Sequence, residues 1–200
     1  MKQKANNSLT YFNLLHAIKA AGNVADDERI IVFGSNAILP WVNSDMEFHL
    51  SMDIDMTFFD DESGEKTNLV DGCLGELSNF HDTFGYWVHG VPIDESRFPH
   101  GWRDRLVKIE DEYLDGKIGY ILSPPDLAVV KLAAGRPKDL DFVEAMLRYG
   151  LTDTISIYNM ITLLPNKQDT AMMNFTICKK RIVSQREEKE SHGMGFKPHF

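Results

Sequence analysis

The segment from Asp53 to Phe59 reads Asp-Ile-Asp-Met-Thr-Phe-Phe, and it restricts this chain more than any other feature. Its first half alternates polar and apolar, the pattern of a strand with one covered face. Aspartate is depleted in strands, so two copies beside an apolar run need a reason. On a strand, residues i and i+2 point to the same face, roughly 7 Å apart by the rise per residue. Asp53 and Asp55 then share one face while Ile54 and Met56 take the other. Two converging carboxylates suit a hard divalent cation such as Mg²⁺, which takes a few carboxylates and fills its remaining positions with water or phosphate. The plainer alternative is a solvent-facing strand decorated with charge. A calcium loop of EF-hand type drawing on Asp53, Asp55, Asp60 and Asp61 fails, because Phe58 stands at the sixth position, where the sharp turn needs glycine.

A second strand is expected upstream, over Arg29 to Phe33, and Gly34-Ser35 ends it. Glycine there lets a phosphate approach the backbone closely. Ser35 is expected to cap a short apolar helix, Asn36 to Trp41, whose free N–H groups favour anions. An isolated Gly-Ser is an ordinary turn, and there is neither a GxGxxG nor a GxxxxGK[ST] element. The order of strand, Gly-Ser, short helix, loop and Asp-x-Asp strand is far more specific. The seventeen residues Asn36–Met52 separate its two halves, with Asn43 to His49 read as an extended loop.

The remaining chain divides by character. Helical periodicity covers Ser8 to Ala21, with Gly22-Asn23 as its stop. A helix is expected over Thr67 to Phe80, and strands over Tyr86 to Val91, Leu106 to Ile109 and Lys117 to Leu122. Ser123-Pro124-Pro125-Asp126 is a strong helix start: capping hydroxyl, proline in the first turn and early carboxylate. From there only helices are expected: to Ala134, Lys138 to Tyr149, from Thr152 or Asp153 to about Pro165, and Asp169 to Lys189. The reading is α+β, with a mixed core over residues 1–122, a helical region over 123–190 and a loose tail over 191–200.

The strand–Gly34-Ser35–loop–Asp53-x-Asp55 order resembles the nucleotidyltransferase superfamily, the DNA polymerase β-like fold. The downstream segment Ile121 to Asp139, with Lys131-Leu-Ala-Ala-Gly-Arg136-Pro-Lys138-Asp139, looks like that of AbiEii-like toxins of type IV toxin–antitoxin systems and related nucleotidyltransferases of mobile defence loci. Gly101-Trp102-Arg103-Asp104-Arg105-Leu106 resembles a further element of one such subgroup. The resemblance spans roughly residues 29 to 148. It implies a small mixed sheet flanked by helices, Gly34 and Ser35 on the phosphates of an NTP, Mg²⁺ on Asp53 and Asp55, and Lys131 on the triphosphate. Asp139 matches the acid of a later motif, and Arg136 and Lys138 read either as groups assisting at the nucleotide or as solvated turn residues. By itself, Lys131 interrupting the apolar run Leu127 to Ala134 reads as a snorkelling lysine.

The formal net charge of −9 opposes nonspecific coating of nucleic acid but not a metal-dependent acidic site. The apolar runs are too short for a bilayer, the N-terminus has no secretory h-region, and Cys73 and Cys178 form no CxxC pair, so a reducing cytoplasm is expected. The seven histidines are scattered, and none has helical metal-site spacing with a Glu. Asp94 is a further strand-borne carboxylate to consider, although Pro92 disturbs its strand. Trp41, Trp87 and Trp102 read as packing residues, and the basic stretch Lys179 to Lys189 as a solvated helix face. Three functions fit: transfer of NMP to the 3′ end of a tRNA by a toxin with a cognate antitoxin, nucleotidylation of a partner protein by an antitoxin-type enzyme, or a degenerate binding module.

Overall fold

The computed structural model describes residues 9–193, with side-chain surroundings through Gln185. The extreme N-terminus, where the absence of a signal was read, and residues 194–200 of the expected tail lie outside it. Helix α1 (Tyr11–Ala25) is capped by Thr10, whose hydroxyl accepts from the Asn13 N–H, and it ends at Asp26 in the left-handed region. It begins later than expected and runs through the expected stop. Gly22 sits where a side chain would crowd the Asp27 carbonyl and Ile30, so that glycine serves close packing and does not end the helix.

Five strands form one mixed sheet in the order β3-β2-β1-β5-β4. These are β1 (Arg29–Phe33), β2 (Asp53–Phe58), β3 (Trp87–Gly90), β4 (Val107–Ile109) and β5 (Ile118–Ile121). Strand β1 runs antiparallel to β2 and parallel to β5, β2 runs parallel to β3, and β4 runs antiparallel to β5. Val32 pairs with Met56 and Ile30 with Phe58, so these side chains share one face. That face is fully apolar and lies under α1. Phe33 and Asp55, also paired, share the other.

Helix α2 (Glu65–Leu74) packs on β2 and β3, and α3 (Asn79–Phe84) follows it. The single helix expected over Thr67 to Phe80 is therefore two. Gly75 leaves the helix, Leu77 takes a φ of 66°, and Ser78 caps the new start through the His81 N–H. Ser35 does not cap a helix either. Gly34 holds the cap position of a 3₁₀ turn, Ser35–Trp41, in which Ser35 is the first residue.

After β5 come α4 (Pro124–Ala134), α5 (Pro137–Arg148), α6 (Thr154–Thr162) and α7 (Gln168–Gly193), with α4 packed on the other three and α7 on both α5 and α6. Ser123 caps α4, accepting from the Asp126 N–H, with proline in its first turn as read from sequence. Asp153 caps α6. Helix α7 includes Ser191, His192 and Gly193, which were expected in the tail. In its basic stretch, Arg181 pairs with Asp141 and Glu144. The guanidinium of Arg105 binds the buried Asp126 carboxylate through Nε (3.0 Å) and Nη2 (2.7 Å). This two-point bond fastens the Gly101–Leu106 element to the start of α4. Phe98 stacks on Trp102 at 4.6 Å and meets Phe33 edge-on, so this element also covers the second face of the sheet.

Candidate functional site

The antiparallel register that pairs Phe33 with Asp55 sets the Gly34 turn against the Asp55 carboxylate. Gly34 has a φ of 72°, and a Cβ there would overlap that carboxylate. The glycine is thus required twice, for its backbone conformation and for the close approach. Asn36, buried in the 3₁₀ turn, donates from Nδ2 to the carbonyls of Asp53 (2.7 Å) and Ser51 (3.0 Å). Ser35 Oγ lies 2.7 Å from Ser51 Oγ, which itself bonds the Asp53 carbonyl. The turn and the first residue of β2 are therefore one hydrogen-bonded unit, and the long loop between them closes on itself.

Asp53 and Asp55 share a face, and β3 adds a third group. Asp55 pairs with His89 across the parallel β2–β3 ladder, and His89 Nδ1 lies 3.1 Å from Asp55 Oδ1. One ligand atom from each of Asp53, Asp55 and His89 lies within 4.8 Å of the others. Burial pushes the Asp55 carboxyl above its ordinary pKa and the neighbouring Asp53 charge adds to this, against an opposing pull from His89. His89 was missed in the sequence because its partnership is set by strand pairing, which no local spacing reports. Asp94, weighed there as a third carboxylate, follows β3 and caps the turn Glu95–Arg97, accepting from Ser96 N (3.1 Å) and Ser96 Oγ (2.6 Å).

Opposite this strand wall stands a helical one. Lys131 near the end of α4 reaches Asp139 in the first turn of α5, with Nζ 3.3 Å from Oδ1. Its ammonium also lies 4.4 Å from the centre of the Phe142 ring. Arg136, half exposed between the helices, binds the same carboxylate through Nε at 2.6 Å and Nη2 at 3.2 Å. Burial lowers the Lys131 pKa, and Asp139 only partly restores it. Burial would raise Asp139, but Arg136 and Lys131 outweigh it and hold the carboxyl below its usual range.

Between the walls lies a cavity of about 620 Å³. Gly34, Ser35, Asp53 and Asp55 line one side, and Lys131, Arg136 and Asp139 the other, so the structure brings every sequence-derived site residue to one space. The loop after the 3₁₀ turn forms a third side. Its Phe48 lies 5.0 Å from Phe142, and the Glu47 N–H donates to the Tyr149 hydroxyl at 3.1 Å. The segment that lengthens the motif is thus a wall of the cavity, bridging the sheet and α5. A volume of this size falls within the range of small-molecule sites.

Residues 10–187 match the model of a family described as "Nucleotidyltransferase of unknown function (DUF6036)". No curated protein and no solved structure matches the chain.

Proposed function

We propose, since the chain belongs to this nucleotidyltransferase family, that the cavity binds an NTP and Mg²⁺ and transfers NMP to an acceptor hydroxyl. The observation that carries the reading is the close approach of Gly34 to Asp55, one of an acid pair that shares the cavity with Lys131 and Arg136. Two carboxylates crowded on one strand face, one of them raised in pKa by burial and by its neighbour, suit a bound divalent cation. Asp53 and Asp55 would hold it. Bound there, Mg²⁺ supplies Lewis-acid polarisation of the phosphates and neutralises charge that develops on them.

The protein's own part is positioning and electrostatics. Gly34 leaves room for the β- and γ-phosphates, and Ser35 offers a hydroxyl beside them. The acceptor oxygen bonds to the α-phosphorus as the bond from that phosphorus to the bridging oxygen breaks. Pyrophosphate leaves with the electron pair of the broken bond, and the hydroxyl proton passes to water. Lys131 meets the charge on the departing pyrophosphate. Arg136 retains Asp139 when the lysine turns to the phosphates, which makes Asp139 a positioning residue for both cations.

The acceptor carried forward from the toxin resemblance is the 3′ end of a tRNA, with a cognate antitoxin as partner. The net charge of −9 favours a second reading, in which the hydroxyl belongs to a partner protein. Incubating the chain with each labelled NTP and Mg²⁺, against total tRNA and against whole-cell protein, separates them. Label on tRNA 3′ ends supports the first reading, and label on protein the second. Absence of transfer together with no NTP binding by calorimetry leaves a binding module and overturns both.

A further inference from the structure

We infer that His89 is the third ligand of the cation held by Asp53 and Asp55, and that this site therefore prefers Mn²⁺ to Mg²⁺. The inference rests on the proposed role of the acid pair as a metal site. Among the described residues, these three side chains alone form a converging set of metal-ligating groups. The parallel register sets His89 directly beside Asp55, on the same face of the sheet. Its position is built into the fold. Val88 before it is fully buried, and Gly90 after it lies so close to the Thr67 carbonyl of α2 that a Cβ would overlap it. The ring thus projects from a strand clamped on its far side, while half of its own surface faces the cavity and solvent.

The nearest alternative weighed from sequence, Asp94, uses one of its oxygens to cap the turn after β3. Both bonds that Asp94 Oδ1 accepts go to Ser96, in the turn after β3. The donor set is therefore two oxygens and one imidazole nitrogen. Mg²⁺ is hard, holds its water tightly and takes oxygen almost throughout. Mn²⁺ accepts the same carboxylates, and as a first-row transition ion it holds a nitrogen donor more readily than the harder Mg²⁺ does. With its ring proton on Nε2, His89 presents a lone pair at Nδ1, the atom that lies 3.1 Å from Asp55 Oδ1.

Pulsed electron paramagnetic resonance of Mn²⁺ bound to the full chain reads the ligand directly. A directly coordinated imidazole nitrogen is expected in the wild-type spectrum and should vanish in His89→Gln and His89→Asp. His89→Asp should still bind Mn²⁺, with the Mn²⁺ to Mg²⁺ affinity ratio falling roughly tenfold, about 1.4 kcal/mol. Circular dichroism checks that both variants fold. Bound Mn²⁺ without nitrogen coupling, or an unchanged ratio in His89→Asp, overturns the inference and leaves the acid-pair reading standing. Equal Mn²⁺ binding by wild type and an Asp53→Asn, Asp55→Asn double variant, or no binding by the wild type, overturns both.

Discussion

The two charged walls of the cavity are built on opposite principles. On the strand wall, like charges are crowded: Asp53 and Asp55 project from one face of β2, with the imidazole of His89 beside them. On the helical wall, charges are balanced: one buried carboxylate, Asp139, is shared by Lys131 and Arg136. Burying a carboxylate beside another penalises its charged form, whereas burying an ion pair with bonds on both sides is tolerated. The helical wall can stand without a ligand, and the strand wall is electrostatically incomplete without a cation. Under the proposed function, that asymmetry gives the strand wall a mostly catalytic weight and the helical wall a mixed structural and catalytic one.

The sharpest break in the comparison comes from the acid pair. Asp53→Asn and Asp55→Asn should each lower nucleotidyl transfer by about a thousandfold, the equivalent of about 4 kcal/mol of transition-state stabilisation. Urea unfolding should show no loss of stability. A variant that loses activity only by unfolding would erase the distinction between the walls. Next in size is the helical wall. Asp139→Ala leaves Lys131 buried without its partner, and the expected loss is about 3 kcal/mol or more of unfolding free energy. The Lys131→Met, Asp139→Leu double variant should regain most of that stability in the same urea titration while remaining inactive in transfer. Recovery of both properties would remove Lys131 from the reaction.

Gly34 links the walls to the turn and gives a smaller effect. Gly34→Ala forces a side chain into a φ of 72° and into the Asp55 carboxylate. The strain is worth about 1–3 kcal/mol by the usual scale for such backbone positions. Calorimetric titration should show NTP affinity falling by more than stability alone explains, because the displaced group is Asp55 itself. Equal affinity in the variant would mean that phosphates do not approach this turn.

Much of this was legible in the chain because it depends on local pattern. The alternation of Asp53 to Met56, the β-branched run before Gly34 and the Ser123-Pro-Pro-Asp start all act within a few residues, and each appears where its residues indicate. What was not legible depends on distance. His89 meets Asp55 only through the register of β3 on β2, and Asn36 secures Asp53 through carbonyls at the far end of a long loop. Asp126 was readable as the early carboxylate of a helix start and Arg105 as part of the Gly101–Leu106 element, but their bond to each other depends on the fold. The break at Gly75 to Ser78 was obscured for a different reason. Gly72 lies within α2 while Gly75 ends it, so glycine alone does not mark the break, and the left-handed Leu77 shows where the chain turns.

The smallest effect is also the most discriminating, because its sign differs between the walls. The folded chain holds the Asp55 carboxyl above its ordinary pKa, by burial first and then by Asp53. A carboxyl raised in this way adds stability below its unfolded value, and that contribution is lost as pH rises through the folded value. Asp139 is held below its ordinary range, so its contribution is present above the unfolded value and is lost as pH falls through the folded one. Asp55→Asn should therefore raise the melting temperature at neutral pH in chelator, with the gain shrinking as pH approaches the ordinary carboxylate range. Asp139→Asn should lower it, with the loss shrinking over the same descent. Adding Mn²⁺ or Mg²⁺ should stabilise the wild type and not Asp55→Asn, since only the former regains the missing positive charge. Thermal shifts of the same sign for both variants would mean that the strand wall is already balanced, and the need for a cation would fall with that result.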